Sequence, residues 1–105
     1  MQRRRYEVLL PIRYNDGRNV EPRRIYDSKE ELMARFGGMT ADGIVRTGSW
    51  TDADGIRYDD ETIRLTVDID NTDEAHAAIR ACKSTLIDRF QQKEIYIVYW
   101  VIEVV

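Results

Sequence analysis

The stretch TIRLTVDI, residues 62–69, alternates strictly between polar and apolar side chains. A period of two is typical of a β-strand that packs one face against a core and leaves the other in solvent. Because the alternation is unbroken, we predict that this strand belongs to an antiparallel sheet with one covered face. The apolar side consists of Ile63, Leu65, Val67 and Ile69.

A weaker strand candidate, residues 44–50, precedes this stretch, and the turn signal Asp-Gly at 54–55 lies between the two. The two segments therefore form a predicted hairpin. The apolar side chains of residues 56–58 are out of phase with the apolar side of the following strand. We predict that a β-bulge near residues 59–60 absorbs this mismatch.

Two helices and two further strands flank the hairpin. Residues 6–12 alternate like a strand, and the capping-box sequence Ser-Lys-Glu-Glu at 28–31 begins a short first helix that ends at Gly37. A second helix starts after Asn71 or Thr72 and carries an apolar stripe as far as Phe90. Residues 94–105 form an apolar final strand.

The order strand-helix-strand-strand-helix-strand predicts a single ferredoxin-like α+β domain over residues 1–105. We expect a two-layer sandwich, in which a four-stranded antiparallel sheet carries both helices on one face. The first and third strands are expected to run parallel, side by side, at the centre of the sheet. This frame hosts many unrelated activities, so the fold by itself predicts no function.

The composition is typical of a folded, soluble protein, with 43% apolar and 33% charged residues. No apolar run approaches the ~20 residues of a membrane span. The basic start is not followed by the apolar stretch of a signal peptide, so we expect a cytoplasmic location.

The single Cys82 cannot form a disulfide within the chain, and the single His76 cannot form a zinc site by itself. We predict no metal and no cofactor, a buried inert Cys82 thiol and an exposed His76.

Charge is distributed unevenly along the chain. Residues 1–24 contain seven arginines against three carboxylates, whereas residues 52–74 contain nine carboxylates. The simpler interpretation is that these charges pair with one another within the domain. The alternative is an anion site under the long loop from Arg13 to Tyr26, because arginine suits phosphate and carboxylate recognition. Its candidate residues are Arg13, Arg18, Arg23 and Arg24.

The final strand is apolar on both faces, although only one face of an edge strand can cover the helices. An exposed hydrophobic edge strand is also an aggregation hazard. Self-association removes both problems, so we predict a homodimer, formed face to face or by pairing along residues 95–105. The predicted interface residues are Tyr96, Tyr99, Trp100 and Ile102.

These features predict a non-catalytic, self-associating interaction or regulatory module, with an unidentified protein partner as an alternative to a second copy. A second interpretation is a small-molecule or anion sensor, or a small enzyme, with its site under the Arg13 to Tyr26 loop. A third is nucleic-acid binding through the arginine-rich N-terminal segment. The acidic pI of 5.2 and the absence of aromatic residues from the outward positions of the first and third strands disfavour nucleic acid.

Overall fold

The computed structural model describes residues 1–105, which form an α+β domain with two helices and one antiparallel sheet of five strands. The strands are β1 (Gln2–Pro11), β2 (Thr40–Ala41), β3 (Arg46–Thr51), β4 (Arg57–Asp70) and β5 (Ile97–Glu103). The helices are α1 (Pro22–Phe36) and α2 (Asp73–Arg89). Neither helix has the length and apolar character needed to cross a membrane.

The 14-residue strand β4 organises the sheet. It pairs with β1 on one side and with β2 and β3 on the other, and β5 completes the far edge beside β1. The prediction of parallel first and third strands is wrong, because β1 and β4 are antiparallel, with Arg3 opposite Asp70 and Pro11 opposite Thr62. The hairpin explains the error: it reverses the chain once more after the first helix has returned it, so the long strand runs against β1.

Two strands, β2 and β3, precede β4 where the sequence predicts a single first arm of the hairpin. Gly43 adopts a positive φ of 70° and bends the chain between them. Asp42 holds this bend, because its carboxylate accepts hydrogen bonds from the Ile44 backbone N–H and the Arg46 side chain, both at 3.0 Å. The strand candidate of residues 44–50 is therefore shorter and shifted, and a separate two-residue strand precedes it.

The predicted bulge near residues 59–60 is wrong. The pairing of β3 with β4 runs without interruption from Thr51 opposite Arg57 to Arg46 opposite Thr62. Tyr58 does not need to reach the core, because its ring stacks on Trp50 at 4.8 Å between centroids on the other face of the sheet. An aromatic partner across the ladder thus replaces the bulge.

Helix α1 begins at Pro22, six residues before the predicted capping box. Proline suits the first turn of a helix because its missing N–H would lack a partner there anyway. Ser28 therefore lies inside the helix, fully buried, and its hydroxyl donates to the Arg24 carbonyl at 2.7 Å. The predicted end of α1 at Gly37 is confirmed by the left-handed φ of 78° at this residue. The predicted cap of α2 at Thr72 is confirmed by a hydrogen bond from the Ala75 N–H to the Thr72 hydroxyl.

The core lies between the helices and one face of the sheet. That face contributes Tyr6, Val8 and Leu10 from β1 and Ile63, Leu65, Val67 and Ile69 from β4. The helices and their ends contribute Leu32, Ile79, Leu86 and Phe90. The opposite face of the sheet, here called the open face, carries the alternate side chains of the same strands, including Glu7, Leu9 and Arg64, and no helix covers it.

Candidate functional site

Two adjacent cavities occupy the open face. The larger cavity, of about 570 Å³, lies between β1, β3 and the segment that leads into β5. The smaller cavity, of about 460 Å³, lies between β1, β4 and the segment around β2. Glu7 of β1 lines both, so the two cavities meet at this carboxylate.

The larger cavity combines apolar walls with carboxylates. Its apolar and aromatic lining consists of Leu9, Trp50, Ile95 and Tyr96. Its carboxylates are Glu7, Asp60 and Glu94, against the single basic side chain of Arg46. Small-molecule sites typically combine apolar walls with a few placed polar groups. Lys83 and Arg64, which do not line this cavity, lie against Glu94 and Glu7, so Asp60 is the lining carboxylate without a cationic partner. Such a lining disfavours an anionic ligand.

Each carboxylate of the larger cavity has a polar or charged partner. The Trp50 indole N–H donates to Asp60 at 2.7 Å, and Lys83 lies 2.8 Å from Glu94. Glu7 is held more loosely, with the Arg64 guanidinium 3.5 Å away. Trp50 is itself fixed by its stacking on Tyr58. The cavity is therefore held in shape without any ligand.

The smaller cavity is lined by paired charges of both signs. Arg5 donates two hydrogen bonds to Asp68, at 2.8 and 2.9 Å, and Arg64 donates to Asp42 at 3.0 Å. The hydrogen bonds from Arg5 lower the pKa of the Asp68 carboxyl, and the same contact raises the pKa of Arg5. Both members of this pair therefore stay charged through the neutral range.

The four arginines predicted to form an anion site do not converge. Arg18 pairs with Asp16 at 2.6 Å, Arg23 with Asp27 at 3.1 Å and Arg24 with Glu21 at 3.0 Å. Each partner lies on the same loop or the first turns of α1, so these guanidinium groups are engaged locally.

Of the four, Arg13 alone lines a cavity, one of about 420 Å³ beneath the loop, and it pairs with Glu61 at 3.3 Å. Asp59, Asp60 and Glu61 face Arg13 across this space, together with Arg57. The surroundings are thus rich in carboxylates. The anion site remains a prediction, and the geometry adds no support to it.

The predicted interface residues are divided between two surfaces. Tyr96 lines the larger cavity and Trp100 the smaller one, and both are exposed. Ile102 is half-buried opposite Arg3. Tyr99 lies on the helix side, where its ring centroid is 5.0 Å from that of Tyr6.

The N-terminal arginines proposed for nucleic acid form contacts within the domain. Arg3 donates to the Asp68 carbonyl at 2.9 Å, and Arg4 donates to Asn71 at 2.7 Å. Arg5 is the partner of Asp68 in the smaller cavity. The basic start of β1 and the acidic end of β4 therefore neutralise each other.

His76 is not the exposed, unpartnered residue that the sequence predicts. Its ring is half-buried, and its Nδ1 lies 2.6 Å from the Tyr6 hydroxyl.

Cys82 is also half-buried, and burial raises the pKa of its thiol. A thiol with a raised pKa is a poorer nucleophile at neutral pH. No group of three or more His, Cys, Asp or Glu side chains has the geometry of a metal site.

Sequence reasoning singled out neither Glu7 nor Trp50 nor Asp60. Two signals mark them in retrospect: Glu7 interrupts an otherwise apolar run, and Trp50 is the one large apolar residue in the polar strand β3. Each signal is ordinary by itself. Their common role becomes visible only in the folded protein, where the side chains of Glu7, Trp50 and Asp60 all line the larger cavity.

Comparison with known proteins gives a likeness of fold. No family model and no curated protein match the sequence. Among solved structures, a phage SAM lyase in complex with S-methyl-5'-thioadenosine matches with a TM-score of 0.68 and 10% identity, over 97% of this chain and 90% of that one. A phage SAM lyase in the apo state matches with a TM-score of 0.57 and 14% identity, over 98% and 89% of the two chains.

This likeness contradicts the prediction of a non-catalytic interaction module. The fold shared over almost the whole of both chains is that of a lyase, which holds a small nucleoside in one of the two structures. The alternative interpretation, a small-molecule site or a small enzyme, agrees better with this finding. At such low identity the likeness describes the fold, so the chemistry must be argued from the cavities of this chain.

Proposed function

We propose that this protein is a small enzyme that binds adenosyl compounds and cleaves an adenosyl sulfonium such as SAM (S-adenosylmethionine), with its reaction centre in the larger cavity. The observation that carries the proposal is the fold match to SAM lyase over 97% of the chain. The character of the larger cavity supports it independently. We therefore place the site on the open face of the sheet and not under the loop between Arg13 and Tyr26.

The lining of the larger cavity suits the two chemical features of such a substrate. Adenine is a flat aromatic base, and Trp50 and Tyr96 offer aromatic surfaces on which a base can stack. The sulfonium is a cation, and the carboxylate of Glu7, which lines both cavities, offers charge of the opposite sign. An apolar wall strengthens this attraction because it lowers the local dielectric constant.

The reaction consumes the positive charge. When the bond between sulfur and the amino-acid chain breaks, both bonding electrons go to sulfur, and the adenosyl product is a neutral thioether. The carbon that leaves sulfur forms a new bond to an oxygen of the substrate's own carboxylate, so the step needs no further reactant. Because the thioether is neutral, the Glu7 carboxylate attracts the substrate more strongly than this product, which favours product release. Stabilisation of the substrate alone does not accelerate bond cleavage, so we assign Glu7 to substrate binding and orientation. Asp60 holds the Trp50 ring in place through the indole N–H.

The test is to incubate the purified protein with SAM and to quantify S-methyl-5'-thioadenosine by liquid chromatography and mass spectrometry. We expect the product to increase with time and with protein concentration. Glu7→Gln keeps an oxygen acceptor for the Arg64 guanidinium and removes only the charge, so it should raise KM at least tenfold. Asp16→Asn, on an exposed loop away from both open-face cavities, should leave kcat/KM unchanged.

Two outcomes contradict the proposal. Absence of product with millimolar SAM and the wild-type protein would exclude this activity. Equal KM values in Glu7→Gln and Asp16→Asn would move the reaction centre away from Glu7 and the larger cavity.

The strand order further supports the ferredoxin-like arrangement as a proposal. The order β5-β1-β4, followed by β2 and β3, corresponds to 4-1-3-2 when the divided β2 and β3 count as one strand. Both helices then connect two strands that have one other strand between them, which is the split βαβ arrangement.

A cytoplasmic location is also proposed, because the only cysteine, Cys82, indicates no reliance on disulfides.

Self-association through β5 also stands as a proposal. This strand forms one edge of the sheet, and three consecutive apolar side chains on it are exposed: Tyr99, Trp100 and Val101. It contains no proline and only one charged residue, Glu103. An edge of this kind favours pairing with a second copy. Pairing along the edge would leave the open face accessible to a substrate.

A further inference from the structure

The boundary between the two cavities coincides with a single residue of β1. Leu9 lines the larger cavity, Glu7 lines both, and Arg5 lines the smaller one. Alternate residues of a strand are about 7 Å apart along the same face. The three side chains thus form a line about 14 Å long that crosses from one cavity to the other. A ligand longer than a nucleoside can follow this line.

The smaller cavity differs from the larger one in its chemistry. Its ionic groups have both signs, with two guanidinium groups among three carboxylates. Thr40 and Thr66 add hydroxyls, and Trp100 is one of its two apolar lining residues. Trp100 is its single aromatic ring, whereas the larger cavity offers two, so an aromatic base is better accommodated there. The lining of the smaller cavity suits a compact group that carries a positive and a negative charge at once.

Arg5 and Asp68 retain the capacity to bind a second pair of charges. Arg5 contacts Asp68 through Nε and one terminal nitrogen, which leaves its Nη1 free of that contact. A guanidinium has five N–H donors and a carboxylate has about four acceptor positions. Both side chains line the cavity, and their exposed fractions are 41% for Arg5 and 35% for Asp68.

We infer that the smaller cavity binds the amino-acid end of the substrate, with its α-carboxylate on Arg5 and its α-ammonium on Asp68. The inference rests on the proposed function, which supplies a substrate with an adenosyl group at one end and an amino acid at the other. In such a molecule the sulfonium joins the two ends. With the base in the larger cavity, the sulfonium lies over Glu7, at the boundary.

This division of the substrate has a consequence for recognition. S-methyl-5'-thioadenosine lacks the amino-acid end, so it occupies the larger cavity alone. S-adenosylhomocysteine is a neutral thioether that keeps the amino-acid end, so it occupies both cavities without undergoing cleavage. The two compounds therefore report separately on the two cavities.

The experiment measures the affinity of both compounds by isothermal titration calorimetry. The double variant Arg5→Gln with Asp68→Asn neutralises the pair while it keeps similar side-chain sizes and leaves neither charge unpaired. A matched control, Arg23→Gln with Asp27→Asn, neutralises an ion pair of α1 that lines neither cavity. We expect the Arg5/Asp68 variant to bind S-adenosylhomocysteine at least about tenfold more weakly, because charge-assisted hydrogen bonds are lost. Its affinity for S-methyl-5'-thioadenosine should change less than twofold.

The outcomes separate this inference from the proposed function. If the wild-type protein binds S-methyl-5'-thioadenosine and the Arg5/Asp68 variant loses affinity for both compounds equally or for neither, the division is wrong and the proposed function stands. If the wild-type protein binds neither compound, both proposals fail. Circular dichroism and the melting temperature of each variant show whether a loss of affinity reflects unfolding.

Discussion

At the scale of single residues, Tyr6 shows how a polar atom is accommodated in the core. The residue is 1% exposed, and its hydroxyl lies against His76 Nδ1 at 2.6 Å. Arg4 Nη1 lies 3.5 Å from the same oxygen. A buried hydroxyl without a partner is costly, so His76 acts as the main partner that allows a tyrosine at this position.

We expect Tyr6→Phe to lower the free energy of unfolding by about 0.5–1.5 kcal/mol, because one hydrogen bond is lost while the ring stays packed. His76→Ala leaves the Tyr6 hydroxyl with little compensation and should cost about 1–3 kcal/mol. Adding Tyr6→Phe to His76→Ala should then cost nothing further, since the unpaired hydroxyl is removed. Urea denaturation of the two single variants and the double variant measures these values.

Tyr26→Phe serves as the control, because this tyrosine is 56% exposed, and it should leave the unfolding midpoint unchanged. Simple addition of the two single effects in the double variant would show that the hydroxyl and the imidazole do not depend on each other.

The contact between Tyr6 and His76 could not be read from the sequence. The two residues are 70 positions apart, and His76 has an alanine on either side, which by itself predicts an exposed ring. The alternation around Tyr6, by contrast, correctly predicted that its ring faces the core. Local periodicity determines which face a side chain occupies. The identity of its polar partner depends on how β1 and α2 pack.

At the scale of elements, the hairpin between β3 and β4 is held by one carboxylate. Asp52 accepts hydrogen bonds from the backbone N–H groups of Asp54 and Ile56, at 2.9 and 3.0 Å, and from Lys93 at 3.1 Å. Gly55 supplies the positive φ of 80° that the turn requires. The turn was predicted from its Asp-Gly signal, but the link to Lys93 is long-range and has no local signature.

The hydrogen bond from the Ile56 N–H, followed by that from Lys93, lowers the pKa of Asp52 below its ordinary value of 3.8. A carboxyl with a depressed pKa in the folded state stabilises the fold above the unfolded pKa, and this contribution is lost as pH falls through the folded value. We therefore expect Asp52→Asn to destabilise the protein at pH 7 and to have a smaller effect near pH 3. Urea midpoints of both proteins at the two pH values test this.

Asp54→Asn, in the same turn, removes an exposed carboxylate that accepts no recorded hydrogen bond and provides the control. A difference between wild type and Asp52→Asn that stays constant from pH 7 to pH 3 would show that the ionised carboxylate does not hold the hairpin.

The region of the predicted bulge shows how far the periodicity of apolar residues can be used. A bulge would be needed only if Ile56 and Tyr58 had to face the core. Ile56 is 50% exposed and Tyr58 stacks on Trp50, so both find places on the open side of the ladder. Periodicity predicts the phase of apolar residues only where the core is the sole apolar surface. A second apolar surface, here the aromatic pair beside the larger cavity, removes that constraint.

At the scale of the whole molecule, the exposed edge of β5 is the feature that the sequence predicts most directly. The carbonyl of Tyr96 accepts from Leu9 N–H, and Val104 N–H donates to Met1, so even-numbered residues direct their backbone groups toward β1. Odd-numbered residues, including Val101, therefore direct theirs away from the sheet. These outward groups are available to a second copy.

Val101→Pro removes one outward N–H and leaves the β1 ladder intact, since proline is tolerated where the N–H of an edge strand faces solvent. If the chain self-associates by edge pairing, we expect wild type to have twice the mass of one chain and Val101→Pro to have the mass of one chain. Light scattering coupled to size-exclusion chromatography gives both masses. Val105→Pro, just beyond β5, is the control and should retain the wild-type mass. A wild-type protein with the mass of a single chain would contradict the proposed self-association.

The antiparallel pairing of β1 has a consequence for synthesis on the ribosome. Both strands that pair with β1 lie beyond residue 57, so β1 leaves the ribosome without a partner while some fifty further residues are added. At about 5–20 residues per second, this interval lasts roughly 3–10 s. During it an apolar strand is free to associate with other nascent chains. The consecutive charges of Arg3, Arg4 and Arg5 occupy one end of β1 and Pro11 the other, so they flank its central residues 6–10 as gatekeeper residues do in aggregation-prone segments.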